Sequence, residues 1–115
     1  MKTFALGDPH GAHKAMLQCF ERSGFDREKD ELIVLGDVAD GWHEVKQCFD
    51  ELITCKNLIF VIGNHDKWFL DWAMSDAQPY IWVSQGGNNT VEQFLFFAQG
   101  LRFLLIIPNG GIFQN

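Results

Sequence analysis

Three short stretches carry side chains able to do metal chemistry: Gly-Asp-Pro-His-Gly (Gly7 to Gly11), Gly-Asp-Val-Ala-Asp (Gly36 to Asp40) and Gly-Asn-His-Asp (Gly63 to Asp66). Together they offer carboxylate, carboxamide and imidazole groups at Asp8, His10, Asp37, Asp40, Asn64 and His65. Oxygen and imidazole donors in one place suit a hard or borderline divalent cation. A carboxylate such as Asp37 can bridge two cations about 4 Å apart, and bound cations make water a nucleophile near neutral pH. A histidine supported by an aspartate is a fitting acid for a poor alkoxide leaving group. The chemistry these residue types suggest is a metal-dependent site acting on an anion.

The stretches need elements that bring them together. Each follows an apolar run that reads as a strand: Thr3–Leu6, Leu32–Leu35 and Leu58–Ile62. They recur about 28 residues apart, one strand–helix–strand unit each. Between the first two, Ala12, Ala15, Met16, Cys19 and Phe20 fall on one helical face, with Gly24 placed to end the helix. Val45, Cys48, Phe49 and Leu52 repeat that spacing, and Lys67–Met74 reads as a third helix. This β-α-β-α-β-α order predicts an α/β fold with a parallel sheet covered by helices. Near-continuous apolar strands predict burial on both sheet faces. In such folds ligands bind at the carboxyl edge of the strands, where helix N-termini favour phosphate. All six candidate residues fall on that edge.

From Ser75 onward the signals weaken. Asp76–Pro79 reads as a turn, Tyr80–Ser84 as a short extended segment, Gly86–Asn89 as a loop, and Thr90 as the cap of a short helix through Phe97. The final residues, Gln93–Asn115, carry the single charge Arg102 and an apolar stretch without clear period. Phe103–Ile107 could be a last core strand; the alternative is an abnormal tail.

Length and charge bound the function. The chain has 115 residues, so one domain at most. A net charge of −6 argues against non-specific nucleic-acid binding. No run approaches the roughly 18 apolar residues of a membrane span. Cys19, Cys48 and Cys55 form no Cys-x-x-Cys pair, which fits a reduced, cytoplasmic chain; Cys19 and Cys48 read as buried small hydrophobes. His13 and His43 read as exposed helix residues, Trp68 and Trp72 as helix packing rather than a substrate platform, and Trp42, beside the site, as partly buried, with contact to substrate the alternative. Taken singly, Asp8 and Asp37 could be helix N-caps, Asn64 an Asx-turn, and His65 with Asp66 a helix start.

The three motifs in this order and spacing resemble the calcineurin-like metallophosphoesterase superfamily. The likeness is strongest to its small bacterial and phage branch related to serine/threonine protein phosphatases. The stretches Gly36-Asp-Val-Ala-Asp-Gly-Trp42 and Trp82-Val-Ser-Gln-Gly-Gly87 add to it, and the resemblance covers about Met1 to Phe94. It implies the parallel β-α-β-α-β half of an α/β/β/α sandwich, and two divalent metals (manganese, iron, zinc or nickel). Asp8 and His10 would ligate the first metal, Asp37 would bridge, and Asn64 would ligate the second. His65 would protonate the leaving oxygen with Asp40 orienting its ring, and Asn64 and His65 would also bind substrate. The implied reaction is hydrolysis of phosphomonoesters, including Ser/Thr phosphate of phosphoproteins, by a metal-bound hydroxide. A receiver-like signalling domain shares the length and the acids, but leaves Gly63-Asn-His-Asp66 unexplained.

The chain also departs from that pattern. Gly41 stands where protein phosphatases commonly place an arginine, and Asp66 replaces a glutamate. Family members continue through a second half that supplies further histidine ligands, whereas the four histidines here are His10, His13, His43 and His65. The second metal would hold only Asp37 and Asn64 of this chain, and should bind weakly. Residues 1–92 therefore read as the N-terminal part of the domain and 93–115 as an apolar tail. Two explanations fit: out-of-frame translation past Gln93, or a native short chain completed by a second polypeptide. In either case the expected activity of this chain alone is weak or absent, with a non-catalytic remnant as the alternative.

Overall fold

A computed structural model describes residues 1–95 and 112–114 of the chain. Strands β1 (Thr3–Leu6), β2 (Glu31–Val34) and β3 (Asn57–Ile62) form a parallel sheet in sequential order, and a short β4 (Ile112–Gln114) pairs in parallel with β3. Helices α1 (His13–Ser23), α2 (Val45–Ile53) and α3 (Asn64–Ser75) alternate with them. The α/β architecture expected from the motif spacing is present. The expected strand Phe103–Ile107, and most of the 93–115 tail, lie outside the described residues.

The helices take their amphipathic faces to one side of the sheet. Met16 and Phe20 of α1 and Val45, Cys48, Phe49 and Leu52 of α2 are buried with Leu32, Val34, Leu58, Phe60 and Ile62 of the strands. The Phe49 ring sits 6.2 Å from Phe60 and 5.6 Å from Phe69 of α3, tying both helices to β3. Gly24 ends α1 in the left-handed conformation (φ 74°), as its position implied. α3 begins at Asn64 rather than Lys67, because the Asp66 side chain accepts the Gly63 N–H at 3.0 Å and closes the first turn.

Burial on both sheet faces is not what the strands show. Along β2 and β3 the buried residues alternate with half-buried ones, Ile33, Ile59 and Val61, while Ala5 of β1 is exposed. Sequential strand order explains this. Crossovers of one hand that always step in one direction stack their helices on one face. The apolar residues of the other face remain, which is why the sequence reads as doubly buried.

The segment after α3 is also helical where an extended stretch and a loop were expected. α4 (Tyr80–Trp82) leads through a wide turn at Val83–Gly87, where Gly86 has φ 102°, into α5 (Asn88–Leu95). Thr90 lies inside α5 instead of capping it. Eight extended residues would span about 26 Å, whereas helical coiling shortens that to about 12 Å. Only the coiled form lets Trp82 and Thr90 reach the same carboxylate, Asp40.

Cys19 is exposed, contrary to its expected burial, because α1 buries its stripe through Met16 and Phe20 over an edge strand and turns Cys19 outward. Burial pushes the Cys48 thiol up to about 12 and the Cys55 thiol up to about 11, so neither forms a thiolate near neutral pH. A thiol-titrating reagent at pH 8 should therefore modify Cys19 alone in the native chain and all three cysteines in denaturant. Rapid native reaction of Cys48 would contradict the packing of α2.

Candidate metal centre

The loops after β1 and β2 run side by side and are bonded through their backbones. The His10 N–H donates to the Asp37 carbonyl at 3.0 Å, and the Gly11 N–H to that of Val38 at 2.9 Å. These bonds continue the β1–β2 pairing past the strand ends, so the first two motifs meet because their strands are neighbours. Asp8, His10 and Asp37 each offer a ligand atom, and these atoms all lie within 4.8 Å of one another. The His10 Nδ1 lies 2.9 Å from the Ala39 carbonyl, which can only accept. Nδ1 therefore carries the proton and Nε2 is left as the metal-ligating atom, the arrangement usual for a metal-binding imidazole. Two carboxylates and a neutral imidazole on one edge fit a divalent cation.

The third motif enters from β3. The Gly63 position is so close to Asp37 that a Cβ there would collide with its Oδ1. The His65 N–H also donates to that oxygen, at 3.2 Å. Asn64 is exposed at the first position of α3, one residue before His65. Asp66 is 4% exposed, and its carboxylate accepts N–H groups from Asp37 (2.6 Å), Val38 (2.9 Å), Ala39 (3.0 Å) and Gly63 (3.0 Å). Burial holds its carboxyl above the ordinary aspartate range, with the four amide donors offsetting only part of that.

Asp40 and His65 form a close pair, with Nδ1 2.8 Å from Oδ2. Asp40 is fully buried and saturated with donors: the Trp82 Nε1–H reaches Oδ2 at 2.6 Å and the Thr90 hydroxyl reaches Oδ1 at 2.5 Å. The same Thr90 oxygen accepts the Asp40 N–H at 3.0 Å. The His65 ring meets His10 edge-on at 5.0 Å and Trp68 at 5.2 Å. Sequence reasoning singled out Asp40 and His65 but missed Trp82 and Thr90 as their supports. No spacing rule marks a tryptophan 42 positions from the carboxylate that it serves.

Backbone conformation marks the same residues. Asp8 (φ 40°), His10 (φ 44°), Asp37 (φ 53°) and Asp40 (φ 70°) all lie in the left-handed region, which non-glycine residues seldom occupy and which recurs at functional sites.

Three peripheral expectations change. His13 is largely buried, bonded to Glu51 at 3.2 Å across α1 and α2, while His43 is exposed but precedes α2. Trp72 is core, as expected, and Trp68 packs within α3 as well, its ring edge-on to that of His65 one turn earlier. Trp42 is 65% exposed rather than partly buried, on a backbone bonded to His10 and Gln93.

The Thr90 contacts give a graded test. Thr90→Val should destabilise the chain by about 2–3 kcal/mol, because it leaves a buried carboxylate oxygen and a buried N–H unpaired. Thr90→Ser keeps the hydroxyl and should lose about 1 kcal/mol with the methyl group. Urea denaturation of the two variants reads the difference directly.

Comparison with known proteins identifies the family. The family model of calcineurin-like phosphoesterases matches residues 1–112. A bis(5'-nucleosyl)-tetraphosphatase (symmetrical) of Nitrosomonas europaea is 31% identical over 116 residues, covering 100% of this chain and 41% of that protein. A serine/threonine-protein phosphatase 1 of Salmonella typhimurium is 28% identical over 85 residues, covering 74% of this chain and 38% of its own length. A solved structure named for a diadenosine tetraphosphatase superposes with a TM-score of 0.66 at 18% identity, over 96% of this chain and 45% of that one; at that identity the likeness concerns the fold. The chain thus spans about two fifths of the length of the curated relatives it matches. With its three motifs converging on one sheet edge, the chain belongs to the calcineurin-like phosphoesterase family.

Proposed function

We propose that this chain carries the metal-binding half of a phosphoesterase site that hydrolyses phosphate monoesters. The observation that supports the reading best is the convergence of Asp8, His10 and Asp37 within 4.8 Å, with His10 held in the tautomer that frees Nε2. In this reading Asp8, His10 and Asp37 would hold one divalent cation, and Asp37 with Asn64 would hold a second. Manganese is the first metal to test, with iron, zinc and nickel suiting the same ligands. When bound, such ions supply Lewis-acid stabilisation of phosphoryl oxygens and activation of water.

The chain's own residues do the rest. His65 delivers a proton from Nε2 to the leaving-group oxygen, because Nδ1 is engaged by Asp40. Asp40, fixed by Trp82 and Thr90, sets the orientation of the His65 ring. In this reading Asn64 and His65 would also bind the phosphate of the substrate. Gly41 puts no cation beside Asp40, which favours substrates other than phosphoproteins. The relative named bis(5'-nucleosyl)-tetraphosphatase supports a nucleotide as the substrate class.

Residues 1–92 are, in this reading, the N-terminal part of the family domain, and the missing ligands of the second metal come from further polypeptide. A second chain that covers the half-buried sheet face would supply them. The buried, unpaired thiols of Cys48 and Cys55 fit a cytoplasmic setting.

Calorimetric titration with manganese should find one measurable site per chain, abolished by Asp37→Asn, together with weak release of phosphate from an aryl phosphate. Absence of any metal binding would overturn the reading. Two tight sites with full turnover would overturn the half-site part of it.

A further inference from the structure

Trp42 combines an exposed indole with an anchored backbone. It is 65% exposed, whereas Trp72 and Trp82 are 2% and 0% exposed. Exposed single aromatics are common on loop tips and need no explanation there. Trp42 is not on a free tip. Its N–H donates to the carbonyl of His10, a proposed metal ligand, at 2.7 Å, and its carbonyl accepts from the Gln93 side chain at 3.1 Å. Two residues on, the Glu44 N–H bonds the Gly11 carbonyl at 3.1 Å. Gly11 has φ 72°, and a Cβ there would stand 2.6 Å from the Trp42 carbonyl oxygen, so this approach requires glycine. The loop is therefore built to hold the Trp42 backbone against the metal-ligand loop while leaving the ring in solvent.

The residue between Trp42 and Asp40 carries no side chain. Gly41, with φ 93°, separates Asp40 from Trp42 and offers no side chain to a substrate. The indole is a large exposed side chain on a backbone one hydrogen bond from that of His10. An indole face binds flat rings by offset stacking, with little regard for the identity of a base.

We infer that Trp42 is a specificity-determining platform of this site, which stacks the flat aromatic ring of a phosphate ester such as a nucleoside phosphate. The inference rests on the phosphoesterase reading above. It assigns Trp42 no part in the bond cleavage.

The test uses the full chain loaded with manganese, and calorimetric titration with AMP, ribose 5-phosphate, phenyl phosphate and inorganic phosphate. AMP should bind about tenfold more tightly than ribose 5-phosphate, the usual size of one base–indole contact. Trp42→Ala should erase that gap and leave inorganic phosphate binding unchanged; Trp42→Phe should keep most of it. An equal loss for phenyl phosphate would extend the platform to simple aryl esters, and a loss for AMP alone would restrict it to nucleosides. Circular dichroism of the variants checks that the exposed position tolerates the change. An AMP to ribose 5-phosphate ratio unaffected by Trp42→Ala, or absent in the parent chain, would overturn the inference while leaving the phosphoesterase reading intact. Failure of the loaded chain to bind phosphate or any ester would overturn both.

Discussion

The carboxylate of Asp66 accepts four backbone N–H groups, from Asp37, Val38, Ala39 and Gly63, and the rest of the site depends on those bonds. The donors belong to the loops that leave β2 and β3, neither of which can satisfy its amides within a strand or helix. One buried anion gathers both loops and fixes their relative height. From there the effects spread outward. Ala39, held through its N–H, presents its carbonyl to His10; Asp37, held likewise, keeps its carboxylate against Gly63 and the His65 N–H. A charge in that position costs desolvation, and four aligned amides are the kind of compensation that makes such burial tolerable.

Strain is the second consequence. Four non-glycine residues of the site sit in left-handed backbone, at about 1–3 kcal/mol each for ordinary residues and less for aspartate. Isolated loops would relax from these angles. Here the loops are tied to each other by the bonds from His10 and Gly11 and covered by Trp82, Thr90 and Gln93. The helical layer beneath, with Phe49 against Phe60 and Phe69, makes the sheet ends stiff enough to hold the geometry. The distortion aims Asp8, His10 and Asp37 at one point, which regular strand ends would not do.

The local frame and the candidate ligands were legible in the sequence because both are short-range patterns. Apolar runs, helical spacing and Gly24 placed β1, α1, β2, α2 and β3 to within a residue or two. The supports of the site were not legible. Trp82 and Thr90 sit in a stretch with no period of its own, coiled because Asp40, more than forty residues earlier, captures both side chains. Propensity alone read Tyr80–Ser84 as extended, and tertiary hydrogen bonding overrode it. Asp66 was visible as a helix-start residue, but its grip on the middle motif depends on β2 and β3 being neighbours. Trp42 was misjudged for a similar reason: an apolar side chain suggests burial, while its loop geometry holds the ring out.

The sheet joins the question of folding to the question of chemistry. Ile33, Ile59 and Val61 line the face away from the helices and are only half-buried, although their β-branched, apolar character suits an interior. Covering such side chains is worth about 1.5–3 kcal/mol for each one fully removed from water. These residues belong to β2 and β3, the strands that lead into Asp37 and Asn64. A polypeptide packed along that face would run toward the same edge that gathers Asp8, His10 and Asp37. In the proposed reading, burial of that half-buried face and completion of the second metal's ligands would be one event, with apolar contact supplying the affinity and the metal edge supplying the register.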